Sequence, residues 1–244
     1  MTKDPKKISE TFVGDLQEIW GESLHSVVLY GSAVRDDYRP GRSDLNFLVL
    51  VKGLAPEQLI GAQKFWKRWR KQNISLPLFM RPEMVVTALD SYPLEFLAMK
   101  ASYQLCFGAD ELAGLEFGRE DLRLQCEREL RGKILHLRSG LVDSEGKKNR
   151  MADLIRASLP AMLAIFQGLL FLAGRKPGVW GNDLLDVGRD AFNLDAALFH
   201  DVLRVRMEKS TPDKDTLADL LVRYINEVER LVNWVDAGGL AREK

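Results

Sequence analysis

Apolar residues recur near the amino terminus at Ile8, Phe12, Leu16 and Ile19, three and four apart, which lines them along one face of a helix over residues 5–21. The period then changes. Residues 26–30 (Ser-Val-Val-Leu-Tyr) are short, apolar and β-branched and predict a strand that stops at Gly31-Ser32. Residues 46–51 (Asn-Phe-Leu-Val-Leu-Val) are almost continuously apolar, as in a strand covered on both faces. Between them, residues 36–42 (Asp-Asp-Tyr-Arg-Pro-Gly-Arg) hold too many turn formers to extend either strand and read as a loop. Pro56 can open a helix to about residue 71, and residues 74–80 have strand composition, with Pro77 restricting them to a sheet edge or a bulge. Pro82 and Pro93 fit the first turns of helices, and a last extended piece over 103–107 ends at Gly108.

From about residue 120 the pattern is helical throughout, over 120–141, 149–174, 181–192, 195–209 and 214–236, with a firm helix stop at Gly174-Arg-Lys-Pro-Gly178. The ridge Leu159, Met162, Leu163, Phe166, Leu169 and Leu170 reads as bundle core. The expected fold class is therefore α+β, a mixed β-sheet domain over residues 1–115 followed by an all-α helical bundle domain over 116–244. The longest apolar run, about 159–173, is broken by Gln167-Gly168 and is short for a bilayer span, so no membrane partner is expected.

Charge narrows the partners. Thirty-five Lys and Arg balance thirty-five Asp and Glu, which gives no overall basic footprint and does not favour nucleic acid. The one basic run, Lys64, Lys67, Arg68, Arg70 and Lys71 around Trp66 and Trp69, reads as an amphipathic helix with its tryptophans on the core. Cys106 and Cys126 are far apart, and His25, His136 and His200 are isolated, so neither a disulfide framework nor a zinc site is expected. The charged amino terminus lacks a secretory apolar segment, and with the cysteine usage it gives a cytoplasmic expectation. Homo-oligomerisation stays open.

Chemistry concentrates between the first two strands. A Gly31-Ser32 pair at a strand end offers backbone N–H groups and a hydroxyl to an anion such as phosphate. Asp44 enters the next strand, and alternation puts it on the same face as Asn46, where the two can converge on one cation.

The run Gly31-Ser32-Ala33-Val34-Arg35, then Ser43-Asp44-Leu45-Asn46, resembles the nucleotidyltransferase superfamily typified by DNA polymerase beta, which includes the aminoglycoside nucleotidyltransferases. The resemblance covers residues 25–110 and implies a nucleotidyltransferase-type mixed sheet, with Gly31, Ser32, Arg35 and Ser43 binding nucleotide and Asp44 and Asn46 as catalytic metal ligands. It also implies two Mg²⁺ ions, a nucleoside triphosphate, and transfer to a small-molecule or protein acceptor. The chain departs from the family twice. Asn46 stands where the family has a second acid, and residues 74–80, the strand expected to supply a third, contain no Asp or Glu. Losing a charged partner at a partly buried site costs roughly 3–5 kcal/mol, so Mg²⁺ is expected to bind weakly or not at all.

The expectation is thus a nucleotide-binding protein with an incomplete metal site and lost or weak transfer activity. The alternative is an active Mg²⁺-dependent enzyme moving a nucleoside monophosphate to a hydroxylated molecule or a protein, with Glu83, Asp36 or Asp37 replacing the missing acid. A minor alternative is a metal-independent ribonuclease, since Arg131 and His136 have the Arg-x4-His spacing of HEPN nucleases.

Overall fold

A computed structural model of the chain describes residues 4–35, 38–40, 43–207 and 210–237. These described residues form two compact units, one from those up to 90 with 98–116 and the other from 91–97 with those after 116.

The first unit begins with α1 (Pro5–Trp20), where the Asp4 side chain accepts the Lys6 backbone N–H at 3.0 Å and proline occupies the first turn. β1 (Leu24–Tyr30) and β2 (Asn46–Val51) follow, then α2 (Gln58–Lys71), β3 (Leu78–Met80), the short α3 (Pro82–Thr87) and β4 (Tyr103–Gly108); α4 (Pro93–Ala101) precedes β4, and its residues 93–97 belong to the second unit. The four strands form one sheet in the order β3-β2-β1-β4, antiparallel on both sides of β1 and parallel between β2 and β3. The predicted strand over 74–80 is shorter than expected. Only Leu78–Met80 pair as a strand, preceded by a single bridge from Leu45 to Ile74. Pro77 lies between the two contacts, and the pairing slips by one residue across it, from Leu45↔Ile74 to Leu48↔Leu78.

One face of the sheet is covered by α1 and α2. Phe12 sits 4.3 Å from Phe47 and 4.8 Å from Trp69, ring centre to ring centre, among the buried Leu16, Leu29, Leu45 and Val49. Asp15 is buried between the two helices, where its carboxylate accepts from Trp69 Nε1 at 2.7 Å and pairs with Arg68. In the basic run of α2, Trp69 is only 1% exposed in this core, Trp66 is half-buried against it, and Lys64 pairs with Glu18 at 3.0 Å. Alternation along β2 turns Phe47, Val49 and Val51 toward this core and Asn46, Leu48 and Leu50 to the opposite face.

The second unit contains α5 (Arg119–Asp143), α6 (Lys148–Leu172), α7 (Gly181–Phe192), α8 (Ala196–Met207) and α9 (Lys214–Asp236), with no strand among its described residues. α6 is the central helix. It is the one described helix long and apolar enough to cross a membrane by composition, but 56% of that apolar window is buried against its neighbours, so packing accounts for its character. Pro160 lies inside it and cannot donate to the carbonyl of Arg156 four residues earlier; Arg206 of α8 fills the gap, its Nη1 donating to that oxygen at 2.8 Å. Gln125, buried on α5, accepts the Leu94 N–H at 2.8 Å and donates to Glu95 at 2.7 Å, satisfying the start of α4.

Candidate functional site

At one end of the sheet the strands present Ser75, Asn46, Tyr30 and Tyr103 side by side: Asn46 pairs with Tyr30, Tyr30 with Tyr103, and Ser75 N–H donates to the Leu45 carbonyl at 3.1 Å. β1 stops here because Gly31 adopts φ +82°, a left-handed conformation that side chains disfavour, while its N–H donates to the Ser102 carbonyl at 3.0 Å. Ser32, Ala33 and Val34 continue as a short 3₁₀ turn, and Arg35 follows it half-buried. Burial raises the Tyr30 phenol above its ordinary pKa, which keeps it a neutral hydrogen-bonding group beside Asn46.

Asn46 is the hinge of the arrangement. Its Nδ2 packs against Gly31 so closely that a Cβ there would meet it at 3.3 Å. Its Oδ1 accepts the Ser75 hydroxyl at 2.7 Å, with the Leu45 carbonyl a second acceptor for that hydroxyl at 3.2 Å. Asp44 is exposed, two residues before Asn46. Ser43 accepts the Arg39 N–H on its Oγ at 3.1 Å and returns its own N–H to the Arg39 carbonyl at 2.9 Å, so its hydroxyl is used in closing the loop. Asp36 and Asp37, two of the proposed replacement acids, lie outside the described residues.

The structure places Gly31 beside Asn46 and adds Ser75, which the sequence did not single out. Composition marked residues 74–80 as a strand, but which residue would face Asn46 depends on the slip at Pro77, and no local pattern reveals it. Glu83, the third proposed replacement, is poorly placed. Met80, three residues before it, pairs with Leu50, and Leu50 is four residues, about 13 Å, along the strand from Asn46.

A family model described as a nucleotidyltransferase domain matches residues 9–92, the stretch that holds most of α1, the Gly31 turn, β2 and Ser75. Over these residues the chain is similar to nucleotidyltransferase domains and has their fold. The nucleotidyltransferase fold extends through the helices as well: the crystal structure of a spectinomycin adenyltransferase from Enterococcus faecialis with ATP and spectinomycin superimposes with a TM-score of 0.56, covering 91% of this chain and 98% of that one at 13% identity. No curated protein matches the chain.

Nucleotidyltransferases generally use a nucleoside triphosphate and metal ions, so the donor set can be tested against that requirement. Magnesium prefers carboxylate, phosphate and water oxygens in near-ideal octahedral geometry. The described residues here supply the exposed Asp44 carboxylate, an Asn46 carbonyl already accepting a hydrogen bond, and the neutral Ser75 hydroxyl. No group of three or more acids, histidines or cysteines able to hold a metal occurs among the described residues. This set does not fit a pair of magnesium ions.

Arg131 and His136 are five positions apart on α5, about 140° around the helix, and Arg131 is engaged by Glu127 at 2.8 Å and Asp236 at 3.7 Å.

Proposed function

We propose that this protein is a nucleotide-binding member of the nucleotidyltransferase fold whose transfer chemistry is lost or weak. The observation that carries the reading is the hydrogen bond from Ser75 to Asn46: a neutral amide stands where the family has its second acid and is bonded to a neutral hydroxyl, with Asp44 the single acid of the motif among the described residues. Ser32 would hold the phosphates at the turn that Gly31 makes, with Arg35 adding positive charge; the Gly31 N–H expected to contribute is already donated to the Ser102 carbonyl. The match to an adenyltransferase solved with ATP and spectinomycin supports a nucleotide together with a small hydroxylated molecule as ligands.

Two measurements test this. A nucleoside triphosphate bound at about 100 times its dissociation constant should stabilise the protein by roughly 2.7 kcal/mol in a denaturation assay. Pyrophosphate release from ATP, GTP, CTP and UTP with Mg²⁺ should not exceed that of Asp44→Ala. Release well above that background, with or without an added acceptor, establishes the active enzyme instead.

A further inference from the structure

Resting on the nucleotide-binding reading, we propose that the Asn46–Ser75 pair makes the site take the polyphosphate as the bare anion, without a divalent cation. A side-chain amide has one accepting end and one donating end. Here Ser75 hydrogen-bonds the accepting Oδ1 at 2.7 Å, so the donating Nδ2 is turned to the Gly31 side, 3.3 Å from where a Cβ on Gly31 would stand. A cation approaching from that side meets N–H hydrogens, whereas a phosphate oxygen meets a donor.

The orientation is built into the backbone. Ser75 is held against β2 by its own N–H to the Leu45 carbonyl, and Leu45 N–H donates to Asn73 at 2.8 Å, a residue itself fixed at φ 60°. Ser75 therefore acts as a positioning residue for Asn46. Asp44, exposed to water, is screened and supplies a single negative charge, too little to draw magnesium onto the amide face.

The test is calorimetric titration of the full-length protein with ATP, GTP, CTP and UTP, each in EDTA and in excess Mg²⁺. At least one nucleotide is expected to bind in EDTA as tightly as with Mg²⁺ or more tightly. Ser75→Ala is expected to weaken binding in EDTA by about two- to tenfold, the worth of one hydrogen bond. Ser75→Thr, which keeps the hydroxyl, should restore it. Asn46→Asp combined with Ser75→Asp should reverse the preference, so that binding requires Mg²⁺; circular dichroism checks that this variant is folded, and Ser75→Ala carries the test if it is not. Binding by the wild type only in Mg²⁺ overturns this inference and leaves the nucleotide-binding reading intact, as does a Ser75→Ala affinity in EDTA equal to wild type. Binding under neither condition overturns both.

Discussion

Gly31 is constrained twice. Its φ of +82° is strained for any residue with a Cβ, and the Cβ of an alanine would stand 3.3 Å from Asn46 Nδ2, so the amide would have to move. Gly14 has the opposite setting: it lies exposed inside α1 with nothing within 4 Å of an added Cβ. Gly31→Ala is accordingly expected to destabilise the protein by about 1–2 kcal/mol and to weaken nucleotide binding. Gly14→Ala should stabilise it by about 0.5–1 kcal/mol and leave binding unchanged. Urea denaturation and nucleotide titration of the two variants check this, and equal effects at both positions would remove the special role assigned to the turn. The contrast also shows what the sequence displays at this scale. Gly31, Ser32 and Asp44 are visible because their motif is contiguous or nearly so, whereas Ser75 acquires its meaning only from the strand that Pro77 offsets beside it.

Elements were largely legible for a related reason. Helices α7 and α9 and strand β2 fall on the residues expected, because each combines a clean hydrophobic period with a chemical stop: Asn193 in a left-handed conformation after α7, and Asp213 accepting the Thr216 N–H at 2.9 Å before α9. Less legible was how α6 runs through Pro160 without breaking, since the compensating donor is supplied by another helix. Arg206→Ala should therefore cost about 0.5–1.5 kcal/mol by leaving the Arg156 carbonyl without that charged donor. In a Pro160→Ala background the backbone N–H returns and can bond the same carbonyl, so the cost of Arg206→Ala should fall. A double-mutant cycle in urea measures the difference, and additive effects would show that Arg206 stabilises by some other route.

At the scale of the whole molecule, the helical unit carries a built-in titration. Cys126 is fully buried in its core, with Leu122, Leu130 and Phe166 in the same cluster, and a Cβ on Gly168 would come within 2.6 Å of its sulfur. Burial first, then the negative charges of Glu129 and Glu95, push the Cys126 thiol from its ordinary value near 9 up to about 12. The unfolded chain therefore releases this proton at a lower pH than the folded one, so the stability tied to it is complete below pH 9 and is lost as pH rises toward 12. Between pH 8 and pH 10 the loss should be about 1.4 kcal/mol, the equivalent of one pH unit above the unfolded pKa. The buried Tyr224 phenol, whose pKa is also raised, adds a loss of the same sign that sets in around pH 10, which makes pH 10 the useful upper limit. Cys126→Ala should be less stable at pH 7 because it leaves a small void, yet it should decline less steeply from pH 8 to pH 10. Urea denaturation followed by helical circular dichroism reads both quantities, and parallel curves for wild type and variant would place the alkaline loss on groups other than this thiol.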